Sequence, residues 1–327
     1  MGVWQEIVDY TVPSNTTSVV LNDFGTITKN DFVKIVFTNV NATASQNVIR
    51  LFANNDTTLG NYHRQFLLGD GSSVGVNRVD NNVFSVVLAS STESNFAYLK
   101  LSENDKFNLF AQNTRANTSG LNVFFNYTTS TSSFTSGITS LTLSGATNSI
   151  GTGSRIQIYK LAAEKVADFV TTSNSTQVDI PTTGIFDPAI DKDSEYLLVS
   201  EIISNAASQN FQLFVNDNTT GSNYNFQAII GNGSTASATR STGANIGFLD
   251  AADDRSLSYN HIKLSNIGAF TNQNYELRFP GTSSVRLVNH FTSSTAENIT
   301  SITKLNIVGG TSGIKAGSRF TLYKLYE

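Results

Sequence analysis

The feature that most constrains this 327-residue chain is that it carries one long pattern twice. Ala44-Ser45-Gln46-Asn47 returns as Ala207-Ser208-Gln209-Asn210, and Leu51 to Ser72 (LFANNDTTLGNYHRQFLLGDGS) returns as Leu213 to Ser234 (LFVNDNTTGSNYNFQAIIGNGS). Leu99-Lys100-Leu101-Ser102 is matched by Ile262-Lys263-Leu264-Ser265, and Asp9-Tyr10 near the start by Asp168-Phe169. A unit half the chain long is far beyond a solenoid period of roughly 20–50 residues. The repeat therefore reads as a duplicated domain, residues 1–163 followed by residues 164–327, with the junction near Ala162 to Lys165.

Within each half, short segments alternate apolar and polar residues: Val33-Lys34-Ile35-Val36-Phe37, Phe84-Ser85-Val86-Val87-Leu88, Phe107-Asn108-Leu109-Phe110 and Arg155-Ile156-Gln157-Ile158-Tyr159. Period two with β-branched and aromatic residues predicts strands. Asp70-Gly71, Ser119-Gly120, Asn232-Gly233 and Gly309-Gly310 supply turn signals, several of them suited to hairpins that need positive φ. Ala162 to Val170 is the one helix candidate, and it is short for an isolated helix. The expected fold is all-β: two tandem antiparallel β-sandwich domains, jelly-roll-like, of about eight strands each.

Composition narrows the function. Charged residues make up 14% and the net charge is −4, with no basic run, so nucleic acid and anionic membrane are not expected partners. Solubility falls to Asn, Ser and Thr. There is no cysteine, hence no disulfide, thiol nucleophile or thiolate metal site. Met1 to Glu6 runs into a strand-like pattern without the basic and apolar regions of a signal peptide, and no stretch approaches the roughly 18 apolar residues of a membrane helix. No nucleophile elbow, phosphate loop or dinucleotide fingerprint appears. The expectation is a protein that is not an enzyme and needs no cofactor.

Candidate sites are few. Asn54-Asn55-Asp56-Thr57-Thr58 with Tyr62, and Asn216-Asp217-Asn218-Thr219-Thr220 with Tyr224, are oxygen-rich loops next to an aromatic ring. Asn54, Asp56, Tyr62, Asn216, Asp217 and Tyr224 are candidate glycan contacts, because an aromatic face binds the apolar face of a sugar while amides take its hydroxyls. The competing reading is that each tyrosine packs inward and that the loops close as Asx turns. The same oxygens could ligate Ca²⁺, but the EF-hand pattern and its bidentate Glu are missing, so no metal is assigned. His63 aligns with Asn225, His261 with Tyr98, and His290 falls near Asn126 and Tyr127, so the halves share no imidazole; all three read as surface or interface residues. The acids Asp253-Asp254 and Glu103 with Asp105 read as solvated loop residues.

The ends of the two halves carry a common motif. Ile138-Thr139-Ser140-Leu141-Thr142-Leu143 precedes Gly153-Ser154-Arg155-Ile156-Gln157-Ile158-Tyr159-Lys160-Leu161; Ile302-Thr303-Lys304-Leu305-Asn306-Ile307 precedes Gly317-Ser318-Arg319-Phe320-Thr321-Leu322-Tyr323-Lys324-Leu325. This closing pair of strands resembles a C-terminal β-hairpin of virion structural proteins of tailed bacteriophages. The resemblance implies a non-enzymatic structural protein on the virion surface, decorating or stabilising the capsid or forming a short accessory appendage; the alternative is a carbohydrate-binding tail adhesin that recognises a host-surface glycan. A tail fibre would be expected to carry an anchor and a repetitive shaft, and neither pattern is seen. Expected partners are other virion proteins and further copies of the chain, with a homotrimer favoured because three chains present six similar domains. In the closing strands Ile156, Ile158, Phe320 and Leu322 should face the core, and Gln157 and Thr321 should face outward.

Overall fold

A computed structural model describes residues 3–69, 74–87, 92–117, 120–181, 190, 192, 194–279, 286–296, 298–310 and 313–326. It divides into two compact units, Met1–Ala162 with Gly233–Thr235, and Ala163–Asn232 with Ala236–Glu327. Among the described residues there is no α-helix.

The first unit has the strands β1 (Trp4–Thr11), β2 (Ser18–Leu21), β3 (Val33–Val40), β4 (Asn47–Ala53), β5 (Tyr62–Gly69), β6 (Val74–Val79), β7 (Ser85–Val87), β8 (Thr92–Leu101), β9 (Lys106–Asn117), β10 (Gly120–Ser133), β11 (Leu141–Ser144) and β12 (Arg155–Leu161). They form a large sheet in the order β1-β12-β3-β8-β9-β10-β5-β6 and a small one in the order β2-β11-β4-β7. Every described pairing is antiparallel.

The two sheets face each other over a core fixed by period-two alternation. Ile35, Phe37, Leu99, Ile156 and Ile158 come from the large sheet, and Val19, Leu21, Ile49, Leu51, Leu141 and Leu143 from the small one.

The second unit runs through β13 (Glu164–Val170), β14 (Gln177–Ile180), β15 (Glu195–Ile203), β16 (Gln209–Val215), β17 (Tyr224–Asn232), β18 (Thr235–Thr242), β19 (Asn245–Leu249), β20 (Arg255–Leu264), β21 (Phe270–Phe279), β22 (Arg286–Ser294), β23 (Leu305–Val308) and β24 (Arg319–Tyr326). Its sheets have the orders β13-β24-β15-β20-β21-β22-β17-β18 and β14-β23-β16-β19. Each order repeats that of the first unit, strand for strand. Each unit has four strands more than expected. The additions are β5, β6, β9 and β10 and their equivalents, which widen the large sheet beyond β8 and β20.

The segment Ala162 to Val170, the one helix candidate, contains strand β13. Its pairing with β24 shifts register between Lys165 and Ala167, and the neighbours Val166 and Ala167 both pack on the core. Such a bulge puts consecutive residues on one side and erases the two-residue period. The first strand has the same shift between Glu6 and Val8, with Ile7 and Val8 on its core.

The Gly-Ser-Arg that begins each last strand has a role for every residue. Gly153 and Gly317 turn the chain at φ of 85° and 92°, where L side chains are strained. The hydroxyls of Ser154 and Ser318 accept the backbone N–H of Val40 and Ile203, each at 2.9 Å. Arg155 and Arg319 fork onto Asp9 and Asp168, the latter through two 2.9 Å bonds. Ile156, Ile158, Phe320 and Leu322 are fully buried as the alternation requires. Thr321 is not outward and free. It is buried, its hydroxyl donating to Asp168 at 3.0 Å, because the Arg319–Asp168 pair lies beside it.

The turn expected at Asn232-Gly233 joins β17 to β18, with Gly233 at φ 61°. Beside Gly309-Gly310 it is Gly313 that has positive φ, at 79°. Asp70, Gly71, Leu88 and Ser119 lie outside the described residues.

Candidate functional site

The two Asn-rich loops are matched structural turns. Asn54 and Asn55 stand at φ 49° and 58°, Asn216 and Asp217 at 53° and 60°, a left-handed region in which Asn and Asp are the commonest side chains after glycine. The Asn54 Oδ1 accepts from the backbone N–H of Thr139 (2.8 Å) and Ser140 (3.2 Å), and its Nδ2 donates to Gly137 O (2.9 Å). Asn216 does the same to Thr303 (2.8 Å), Lys304 (3.3 Å) and Ser301 O (2.9 Å). Each amide ties the end of one strand to the chain entering β11 or β23.

The carboxylates in these loops are also engaged. Asp56 accepts from Asn61 Nδ2 at 2.9 Å on both oxygens and from Thr58 N at 3.3 Å. Asp217 accepts from Lys304 (2.9 Å) and Asn306 (2.8 Å). Those donors hold its carboxyl below the usual carboxylate range, the Lys304 hydrogen bond first among them.

Tyr62 and Tyr224 cannot stack on a sugar. Both are fully buried. The ring of Tyr62 lies edge-on between Phe52 (5.7 Å) and Phe107 (5.8 Å), and that of Tyr224 between Phe214 (5.2 Å) and Phe270 (6.1 Å). Their hydroxyls accept from Ala53 N and Val215 N, and burial raises both phenol pKa values. The aromatic half of the candidate glycan contact is therefore absent at these loops, because each tyrosine starts its strand and packs inward, as the competing reading has it.

The histidines and acids divide. His63 is an exterior group bonded to Asp80 at 2.7 Å. His290 is buried rather than on the surface, its Nε2 at 3.4 Å from the Glu276 carboxylate. Asp254 is likewise buried, not solvated: it accepts from Arg278 at 2.8 Å and from Ala251 N at 3.0 Å.

Glu276 and Asn274 have a structural task on the inner face of the large sheet. They bind Phe248 N at 3.0 Å and Ile246 O at 2.6 Å, capping edge strand β19 of the small sheet, which would otherwise present unpaired backbone groups. Asn113 and Asn126 reach Phe84 O and Val83 O in the first unit in the same way. Among the described residues no three His, Asp or Glu side chains converge to hold a metal ion.

The concave feature with ligand-like chemistry lies elsewhere, on the outer face of the second unit's large sheet. Cross-strand register sets side chains there in two rows. One runs Gln227, Phe291, Gln273, His261; the next runs Asn225, Ser293, Thr271, Lys263, Glu195. With Arg240 of β18 they line a groove of about 550 Å³, within the range of small-molecule sites.

Of the described aromatic side chains Phe291 is the most exposed, at 50%. Gln273 is oriented by a 2.5 Å bond to the Tyr275 hydroxyl, and Thr271 by one to Lys263 O at 3.1 Å. Glu195 lies 3.8 Å from His261. Its pKa is lowered by that histidine against the opposing effect of burial, with Lys263 adding to the effect. Neither Arg240 nor Lys263 forms an ion pair among the described residues.

The corresponding row in the first unit reads Gln65, Tyr127, Phe110, Tyr98. There Tyr127 and Phe110 are buried, the Tyr127 hydroxyl donates to Asn108 at 2.6 Å, and Lys100 donates to Lys29 O at 2.6 Å. Gln65, Tyr127 and Phe110 are thus buried, whereas their counterparts Gln227, Phe291 and Gln273 line the groove. Sequence reading passed over Phe291 because an aromatic on a strand is usually core; the available signal was its place in the polar run Asn289-His290-Phe291-Thr292-Ser293.

No family model matches the chain, and no curated protein matches it. Among solved structures it is similar to a GH43 glycoside hydrolase engineered to show both endo-xylanase and exo-arabinofuranosidase activity, at 10% identity and a TM-score of 0.25 over 87% of this chain and 65% of that one. It is similar to the attachment invasion locus protein of Yersinia pestis in complex with a heparin analogue, at 8% identity and a TM-score of 0.15 over 84% and 98%. Domains LG4-5 of the mouse laminin α1 chain align at 9% identity and a TM-score of 0.16 over 97% and 89%. Overlaps this loose carry no argument about activity.

Proposed function

We propose that the chain is a non-enzymatic structural protein on the surface of a tailed-phage virion, built from a jelly-roll domain duplicated in tandem over residues 1–163 and 164–327. It decorates or stabilises the capsid, or forms a short accessory appendage, against other virion proteins and as a homotrimer.

The observation that carries this reading is the strand order. Without the four added strands, each unit reduces to β1-β12-β3-β8 over β2-β11-β4-β7 or its equivalent, the order produced by the two Greek keys of a jelly roll, an architecture of viral capsid and lectin domains. Fold alone does not fix function. Support also comes from the closing strands, whose Gly-Ser-Arg locks are structural in both units, and from side chains that bond chiefly to their own turns and edges.

The test is the copy number per purified particle by quantitative mass spectrometry. Hundreds of copies mean capsid decoration, a dozen or fewer an appendage, and absence from particles contradicts the reading. The groove on the second unit favours a second reading, a carbohydrate-binding receptor module at the tail.

A further inference from the structure

We propose that the outer-face groove of the second unit binds a saccharide that carries a carboxylate, with Phe291 as the stacking platform and Arg240 and Lys263 as the anion-binding groups. This rests on the second reading above and specifies its ligand and its site.

Three observations converge on that chemistry. The first is Phe291, a half-exposed aromatic ring in the middle of a sheet face. An exposed ring flanked by amides offers an apolar surface to the C–H face of a sugar, and the side-chain amides of Gln227 and Gln273, its cross-strand neighbours, can each donate to and accept from hydroxyls. Gln273 is already held by Tyr275, so less ordering is needed when a ligand arrives.

The second observation is extent. The row Asn225, Ser293, Thr271, Lys263 and Glu195 crosses the five strands β17, β22, β21, β20 and β15, roughly 19 Å at ordinary strand spacing. That is long enough for an oligosaccharide, and every residue of that row carries a polar side chain. A peptide added as a strand would instead use a sheet edge, and this groove lies across the face.

The third is charge. His261 first, then Lys263, act on Glu195, the one carboxylate among the described residues that line the groove, and lower its pKa. Against that single negative charge stand Arg240 and Lys263, neither ion-paired among the described residues. The groove is therefore net positive in a chain whose overall charge is −4, and a carboxylate on the ligand complements it. In the first unit Lys100 occupies the position of Lys263 but is buried and donates to a backbone carbonyl, so the first unit does not offer this site.

The test is isothermal titration calorimetry of the full chain with oligosaccharides of galacturonate, glucuronate and sialic acid, alongside the methyl-ester forms of the same sugars. The expected result is binding of at least one acidic sugar about tenfold tighter than its ester. Phe291→Ala, a change at an exposed position, should weaken that binding about tenfold, and the pair Arg240→Gln and Lys263→Gln should reduce it to the level of the ester. Equal affinity for acid and ester overturns the acidic-ligand inference and leaves the carbohydrate reading standing. No binding of any sugar at about 10 mM overturns both. Binding that Phe291→Ala leaves unchanged overturns the assignment of the site.

Discussion

Asn54 shows how one side chain sets a turn. Its backbone occupies the left-handed region while its amide closes three bonds to the strand connection across from it. Replacing it with alanine should cost about 2–3 kcal/mol, from lost hydrogen bonds near 1 kcal/mol each net and the strain of alanine at that φ. Asn54→Gly should cost less, because glycine keeps the φ and loses only the bonds. Urea unfolding of the two variants measures both values; equal losses would mean that the strain contributes nothing.

Asp168 supplies a second test at this scale. Burial pushes its carboxyl up, but hydrogen bonds from Arg319, Lys165 and Thr321 outweigh burial and hold it at about 2, against 3.8 for an ordinary aspartate. A carboxyl lowered in the folded state stabilises above its unfolded pKa, and the contribution is lost as pH falls from 3.8 toward 2. The difference in thermal midpoint between the native chain and Asp168→Asn should shrink across that interval. A difference that stays constant would contradict the assignment.

At the scale of the element, the last strand of each unit joins the large sheet's interior to its first strand. Phe320 on β24 is fully buried and stacks on Phe169 of β13 at 5.5 Å. Phe320→Ala should destabilise by about 3–5 kcal/mol, and a measured loss below about 1 kcal/mol would count against the packing. Strands such as β3 and β12 were legible in the sequence because clean alternation reports a half-buried strand directly. Strand β13 was not, since its bulge sets Val166 and Ala167 on one side. The wide end of the large sheet was also hidden. Its inner face carries Asn274, Glu276 and His290, polar residues that break the apolar alternation of a core face and are buried because Asn274 and Glu276 cap β19. Tyr62 and Tyr224 were placed correctly at the start of a strand, but only packing decides which way a strand's first residue points. Phe291 is the converse case, an aromatic on a strand, a place usually claimed by the core, that faces out.

At the scale of the whole molecule, two units of one strand order carry the proposed structural part on a particle. Apolar residues at 39% with few charges suit a surface that lies against neighbours, and closed symmetry is the usual outcome for such chains. Light scattering of the purified protein should therefore return the mass of three chains, and a stable monomer at micromolar concentration would contradict the trimer. The most direct measurement is an electron cryo-microscopy reconstruction of purified particles from the source of the chain, tested against the proposed virion role. The expected result is density on the particle surface into which each unit fits with its strand order intact, in threefold clusters. A fully resolved particle surface with no such density would contradict it.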